Sequence, residues 1–160
     1  MRIEFLADHP QHALALARWH HREWGELMPD WSREDAEREL TGHATRRDIP
    51  TTLVLLDGEA LVGSVSVLDE DASELREYSP WLASLFVAPP ARGRGLGAQL
   101  VAAAVDLARA QGVPRLYLFT PGHEAFYARL GWTTLDARRR VGGRPVSLMA
   151  VELAPPETER

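Results

Sequence analysis

The segment Arg92-Gly93-Arg94-Gly95-Leu96-Gly97 constrains this chain more than any other. It joins two stretches of different periodicity. Before it, Trp81 to Val87 reads as a strand, and Pro89-Pro90 ends that strand. After it, Leu96, Leu100, Ala103, Ala104, Leu107 and Ala108 recur at helical spacing over Gly95 to Gln111, and Gly112 closes the helix. The first amides of a helix have no acceptor within it, and glycine lets a ligand approach the backbone closely. Together with the helix dipole they form an anion site, to which Arg92 and Arg94 add positive charge. The natural ligand is a pyrophosphate.

Three other readings of the turn carry less. A Walker loop ends in Gly-Lys-Ser/Thr, whereas Gly97 is followed by Ala98 and Gln99. The dinucleotide fingerprint matches Gly93, Gly95 and Ala98, but it should open the first βαβ unit and have an acid about 20 residues on. Here the turn lies mid-chain, and Leu116 to Thr120 contains no acid. The third reading is a turn that merely packs helix on strand; two arginines and two helix-entry glycines weigh against it.

The remaining elements follow from the same pattern rules. Arg2 to Leu6 reads as a strand, Asp8 as a helix N-cap, and Pro10 as an early helical residue. Leu14, Leu16, Ala17 and Trp24 make the apolar face of that helix, which runs to about Glu23. Ser32 starts a second helix, with Glu34, Asp35 and Glu37 in its first turns. Thr51 to Leu56 and Ala60 to Leu68 form a hairpin about Asp57-Gly58, with Leu61, Gly63, Val65 and Val67 sharing a face. Asp69 to Ser79 is a polar, acidic loop. On the next strand Trp81, Ala83, Leu85 and Val87 share a face. Arg115 to Thr120 is apolar enough for a central strand. His123 to Leu130 is a short helix ended by Gly131, and Trp132 to Arg138 pairs with Pro145 to Leu153 around Val141-Gly142-Gly143. The order β-α-α-β-β-β-α-β-α-β-β predicts an α/β fold with a mixed sheet.

At 160 residues the chain fits a single domain over 1–154 with a frayed tail at 155–160. A net charge of -5 argues against nucleic acid as a partner and weakly favours a cationic one. There is no cysteine, so disulfides, a cysteine nucleophile and a thiolate metal site are excluded. The N-terminus lacks a signal-peptide pattern and no apolar run would span a membrane, which with the missing cysteines predicts a cytoplasmic protein. His9-x-x-His12 and His20-His21-x-Glu23 match no metal motif, so no metal is expected. Arg138-Arg139-Arg140 reads as a solvated hairpin end, and Trp19, Trp24 and Trp31 either pack a core or wall a pocket.

Leu85-Phe86-Val87-Ala88-Pro89-Pro90-Ala91-Arg92-Gly93-Arg94-Gly95-Leu96-Gly97 resembles the acetyl-CoA motif of the GCN5-related N-acetyltransferase (GNAT) superfamily, whose core is Arg/Gln-x-x-Gly-x-Gly/Ala. Ala125-Phe126-Tyr127-Ala128-Arg129-Leu130-Gly131-Trp132 is similar to that family's second motif. The motifs and the strand between them cover roughly residues 81–133, and the element order fits over nearly the whole chain. The resemblance implies a mixed, mostly antiparallel sheet flanked by helices, with acetyl-CoA as cofactor. It implies that the backbone of Leu85, Phe86 and Val87 pairs with the pantetheine arm and that the amides of Gly93, Arg94, Gly95, Leu96, Gly97 and Ala98, beside Arg92, hold the pyrophosphate. It implies that the strands Trp81–Val87 and Arg115–Thr120 splay apart around the thioester. It also implies acetyl transfer to a primary amine of a small molecule or peptide, by direct attack in a ternary complex, by a monomer or homodimer.

Acyl transfer from a thioester needs a neutral amine, a donor for the developing oxyanion and a proton for the leaving thiolate. The resemblance sets Tyr127 as the acid and the Val87 N–H as the oxyanion donor, although Tyr127 among Phe126 and Leu130 also reads as a core aromatic. The base is less evident. Neither splayed strand carries a carboxylate. Ser84 could hold a water, His123 could serve as base or proton relay or sit on the surface, and Asp71, Glu74 and Glu77 could reach in or stay solvated. That gap keeps open a second function, an acyl-CoA-binding sensor that has lost catalysis. The His123-x-x-Phe126-Tyr127 pattern is similar to some peptide N-terminal acetyltransferases, a faint pointer to the acceptor.

Overall fold

The strands are β1 (Arg2–Phe5), β2 (Thr51–Asp57), β3 (Ala60–Leu68), β4 (Trp81–Val87), β5 (Arg115–Thr120), β6 (Thr133–Val141) and β7 (Arg144–Glu152). The helices are α1 (Ala13–Trp24), α2 (Arg33–His43), α3 (Leu96–Ala110) and α4 (Glu124–Arg129). This computed structural model describes residues 1–153, and the tail expected to fray lies outside them. The strands join in the order β1-β2-β3-β4-β5-β7-β6. Every neighbouring pair is antiparallel except β4 and β5. The predicted mixed sheet and element order both hold.

Each face of the sheet is covered, which is why β2 and β3 read as nearly unbroken apolar runs. On one face Leu96, Leu100 and Ala104 of α3 pack on Leu53, Leu55, Val65 and Val67. On the other, Leu16 and Ala17 of α1 and Ala36 and Leu40 of α2 pack on Val54 and Leu56. A third cluster joins Leu68, Trp81, Ala83 and Leu148 beneath Leu27, which follows α1. Ser32 caps α2 in a reciprocal box with Asp35, as the sequence suggested for the helix start.

Five local expectations need correction. Asp8 does not cap α1: it ends a single 3-10 turn at Leu6–Asp8, and Pro10 opens another before the helix begins at Ala13. The buried stripe of α1 is Ala13, Leu16, Ala17 and His20, and Leu14, one residue off that stripe, is 54% exposed. Leu61 does not share a face with Val65. A register shift between β2 and β3 adds a residue there, so Leu61 packs towards the α1–α2 side while Val62 packs towards α3. The same happens in β4, where the register slips between Ala83 and Phe86. Trp81 and Ala83 therefore join the third cluster, while Leu85 and Val87 turn to the α3 side. Finally, the acidic loop is anchored by buried Ala72 and Leu75. Its Glu74 accepts the Gly142 N–H at 3.0 Å and its Glu77 pairs with Arg139 at 3.0 Å.

Candidate active site

The site is built where the two parallel strands fail to stay together. The β4–β5 pairing comprises Trp81 opposite Tyr117, and the Tyr117 N–H donates to the Pro80 carbonyl at 3.0 Å. Beyond that point the strands part. Ser84 sits in the β4 bulge with a φ of 56°, a left-handed conformation uncommon outside glycine. The Ser64 hydroxyl, held by His20 at 2.9 Å, donates to the Ser84 carbonyl at 3.3 Å and pins the bulge from the α1 side. Past the bulge the Ala88 N–H donates to the Val62 carbonyl at 2.8 Å. By strand alternation, the polar groups of Leu85 and Val87 then face away from β3, into the gap.

The glycine turn lies at the end of β4. Gly93 and Gly95 hold φ of 80° and 76°, and a Cβ at either would meet nothing within 4 Å. The first helical bond runs from the Gln99 N–H to the Gly95 carbonyl, so the amides of Leu96, Gly97 and Ala98 have no acceptor within the helix. A cleft of about 460 Å³ runs from this turn along Leu85, Phe86 and Val87 to Phe126. Of the residues expected at the pyrophosphate and pantetheine positions, Arg92, Gly93, Gly95, Leu96, Gly97 and Ala98 line it and Arg94 does not. Arg92 folds back: its Nε donates to the Val87 carbonyl at 2.7 Å and its guanidinium lies 5.5 Å from the centre of the Phe86 ring.

A second cleft, of about 370 Å³, passes from the α1–α2 side into the gap. Ser84, Thr120 and Tyr127 form its inner wall, and Trp24 and Trp31 its outer one. Trp19 packs instead on Phe86, 5.5 Å between ring centres. The two clefts share Glu23, Leu85 and His123, so they meet at the exposed His123 and at the bulge. Tyr127 is 9% exposed and packs edge-on against Phe126. Burial pushes its phenol up to about 12, so it keeps its proton throughout the working range.

Four acids also line the second cleft: Glu23 of α1, Glu39 of α2, and Glu70 and Asp71 of the loop after β3. Burial, reinforced by neighbouring Glu39, pushes the Asp71 carboxyl up to about 7. Burial also raises Glu39, against the pull of the Trp31 side chain. Reading the sequence left Asp71 among three equal loop acids, and Glu74 and Glu77 turn instead towards the β6–β7 hairpin. Glu39 was not singled out. The signal was present: it lies three residues after buried Ala36 and four before buried His43, on the inner face of α2.

The sequence pattern of the acetyltransferase (GNAT) family matches residues 14–132. The chain belongs to the GNAT family. Both motifs of the GNAT resemblance fall within that span. A mouse (Mus musculus) relative, N-alpha-acetyltransferase 80, is 33% identical over 110 residues, covering 66% of this chain and 35% of its own. The chain thus spans about a third of that relative's length. Among solved GNAT-like folds, an aminoglycoside 6'-acetyltransferase type Ii matches with a TM-score of 0.71 and 22% identity, over 98% of this chain and 100% of the other. N-acetylglutamate synthase from Neisseria gonorrhoeae, complexed with coenzyme A and N-acetyl-glutamate, matches with a TM-score of 0.64 and 23% identity, over 90% of this chain and 32% of the other.

Proposed function

We propose that this chain transfers an acetyl group from acetyl-CoA to a primary amine, by direct attack with both ligands bound. The observation that carries the reading is the meeting of the two clefts at Leu85 and His123, beside Ser84 and Tyr127. The residues suit the cofactor: free helix-entry amides, open space above Gly93 and Gly95, and a strand edge without a strand partner at Leu85 and Val87. When bound, acetyl-CoA supplies an activated thioester.

In this reading the amides of Leu96, Gly97 and Ala98 hold the pyrophosphate, with the dipole of α3 behind them. The backbone of Leu85 and Val87 aligns the pantetheine arm in the manner of a strand. The Val87 N–H donates to the thioester oxygen as negative charge builds there. The Asp71–Glu39 pair takes the ammonium proton, so that the amine attacks in neutral form. Tyr127 donates its proton to the departing sulfur. Ser84 holds a water in the path between them, and His123 relays protons to solvent at the mouth.

The alternative, a sensor that binds acyl-CoA without turnover, rests on the lack of a carboxylate in β4 and β5. Asp71 and Glu39 bring carboxyls to the cleft from the flanking elements, which supports the enzyme reading. We assign the chain as one domain over 1–154, acting as monomer or homodimer. No helix among the described residues is long and apolar enough to cross a membrane, and the absence of cysteine suits the cytoplasm.

Release of free CoA thiol on mixing acetyl-CoA with an amine panel tests the reading. Tyr127→Phe should lower kcat about 10²-fold and leave acetyl-CoA binding unchanged. A Tyr127→Phe enzyme with full kcat would remove the acid assignment. Tight acetyl-CoA binding with no turnover on any amine would favour the sensor.

A further inference from the structure

Two buried hydrogen-bond chains lie between the α1–α2 layer and the sheet, and no step of the acetyl transfer uses either. In one, the His20 ring of α1 meets the Ser64 hydroxyl at 2.9 Å, and that hydroxyl meets the Ser84 carbonyl at 3.3 Å. In the other, the His43 ring of α2 meets Thr52 at 2.8 Å, and Thr52 meets Ser66 at 2.7 Å. His20, Ser64, His43, Thr52 and Ser66 are all at most 5% exposed. Apolar side chains of the same shape would hold such layers together as well, so what a buried polar chain adds is direction. Ser64 lies opposite Phe86 and Ser66 opposite Ala83, so the two serines bracket the bulge in β4. Only the first chain reaches β4: among the described residues, no side-chain bond joins Ser66 to that strand.

The direction of the first chain follows from its parts. A carbonyl only accepts, so the Ser64 proton goes to Ser84 and the Ser64 oxygen accepts from His20. Burial holds His20 down to about 3, so the ring is neutral and its one proton sits on Nε2. Trp24 packs edge-on against that ring, 5.2 Å between centres. The chain ends on a single trans peptide group, whose C=O and N–H point in opposite directions. A Ser84 carbonyl held towards Ser64 therefore aims the Leu85 N–H the other way, into the gap. Accepting a hydrogen bond also polarises that peptide and strengthens the N–H as a donor. The left-handed φ of 56° at Ser84 is strained, and such a conformation persists only where its surroundings hold it.

Taking the acetyltransferase reading as its basis, we propose that His20 and Ser64 are positioning residues for acetyl transfer: their chain fixes the Ser84–Leu85 peptide, and with it the strand edge on which the pantetheine arm lies. Loosening this peptide leaves the pyrophosphate amides of α3 in place. The cofactor then still binds, with its thioester less well aligned on the Val87 N–H. The signature is a fall in kcat with little change in KM for acetyl-CoA. The second chain supplies the control. Ser66→Ala is the same substitution as Ser64→Ala, two residues along the same strand and equally buried, without a side-chain bond to β4.

The test compares Ser64→Ala, Ser66→Ala, His20→Leu and His20→Gln by initial rates of CoA-thiol release against acetyl-CoA concentration, with urea unfolding of each. Ser64→Ala should lower kcat about tenfold and leave KM for acetyl-CoA within about threefold of the parent, because small misplacement of a reacting group costs rate. Ser66→Ala should lose comparable stability and keep the parent's kcat. His20→Leu should match Ser64→Ala, and the double variant should fall no further than either. His20→Gln, whose amide nitrogen can donate in place of Nε2, should recover most of the loss. A Ser64→Ala enzyme with the parent's kcat, a loss shared equally by Ser66→Ala, or losses that multiply in the double variant would overturn the proposal. Should His20→Leu not fold, the two serine variants decide it. The 15N shifts of the His20 ring give a reading that needs no turnover: an Nε2–H ring supports the chain, and an Nδ1–H ring, which would draw the Ser64 proton away from Ser84, overturns it. In each of these outcomes the parent still transfers acetyl. A parent that acetylates no amine would instead remove the acetyltransferase reading, and the positioning role with it.

Discussion

At Gly95 the demand for glycine comes from the backbone alone. A Cβ there would meet no atom within 4 Å, but the φ of 76° is one that other residues adopt at a cost of roughly 1–2 kcal/mol. Gly95→Ala should therefore relax the turn and redirect the amides that follow. We expect about a tenfold rise in KM for acetyl-CoA with kcat at saturation changed little, read from initial rates against cofactor concentration. Gly97 differs: its Cβ would stand 3.6 Å from the Phe126 ring, ordinary contact, so Gly97→Ala should be milder. The turn was legible in the sequence because its backbone geometry depends on neighbours a few positions away. The short helix that carries Tyr127 was legible for the same reason, ended as it is by Gly131. Glu39 and Asp71 were not, since what makes them a pair is the packing of α2 beside the loop after β3.

Among the elements, β4 departs most from its sequence pattern. Strand periodicity puts Trp81, Ala83, Leu85 and Val87 on one face, but one extra residue at the bulge inverts the second half, and no propensity rule marks where a strand will slip. Helix α3 kept to its pattern, because it has a strong apolar period and glycine at both ends. The slipped β4 depends on a close approach to β3. A Cβ on Gly63 would lie 2.5 Å from the Phe86 carbonyl oxygen, which is backbone and cannot swing aside. Gly63→Ala should thus push β4 outward. We expect a loss of about 2 kcal/mol or more in urea unfolding, together with weakened acetyl-CoA binding, because Phe86 lies between Leu85 and Val87. A variant as stable and as tightly binding as the parent would show that the two strands do not need this contact.

For the molecule as a whole, buried titratable groups set how stability follows pH. Burial holds His20 down to about 3 and His43 to about 4, from 6.5. Above 6.5 both are neutral folded or unfolded; below it the unfolded chain gains two protons that the folded one refuses, so stability falls with pH. Asp71 works the other way. Raised from 3.8 to about 7, it holds a proton in the folded state that the unfolded state lacks across the same window, and Glu39 acts in the same sense. From the two histidines and Asp71 the net imbalance is at most about one proton, or up to roughly 1.4 kcal/mol lost per pH unit between about pH 6 and pH 5, and Glu39 lowers it further. Asp71→Asn should steepen that slope towards twice its value, measured as unfolding free energy in urea at both pH values. An unchanged slope would mean that Asp71 is not protonated in the folded protein. The slit between β4 and β5 has a further consequence at this scale. Open strand edges ordinarily invite other chains to pair with them and aggregate. Here the two edges face each other between interior strands of the sheet, not on its rim. The bare edge at this slit is therefore less open to pairing with another chain than the rim strands β1 and β6.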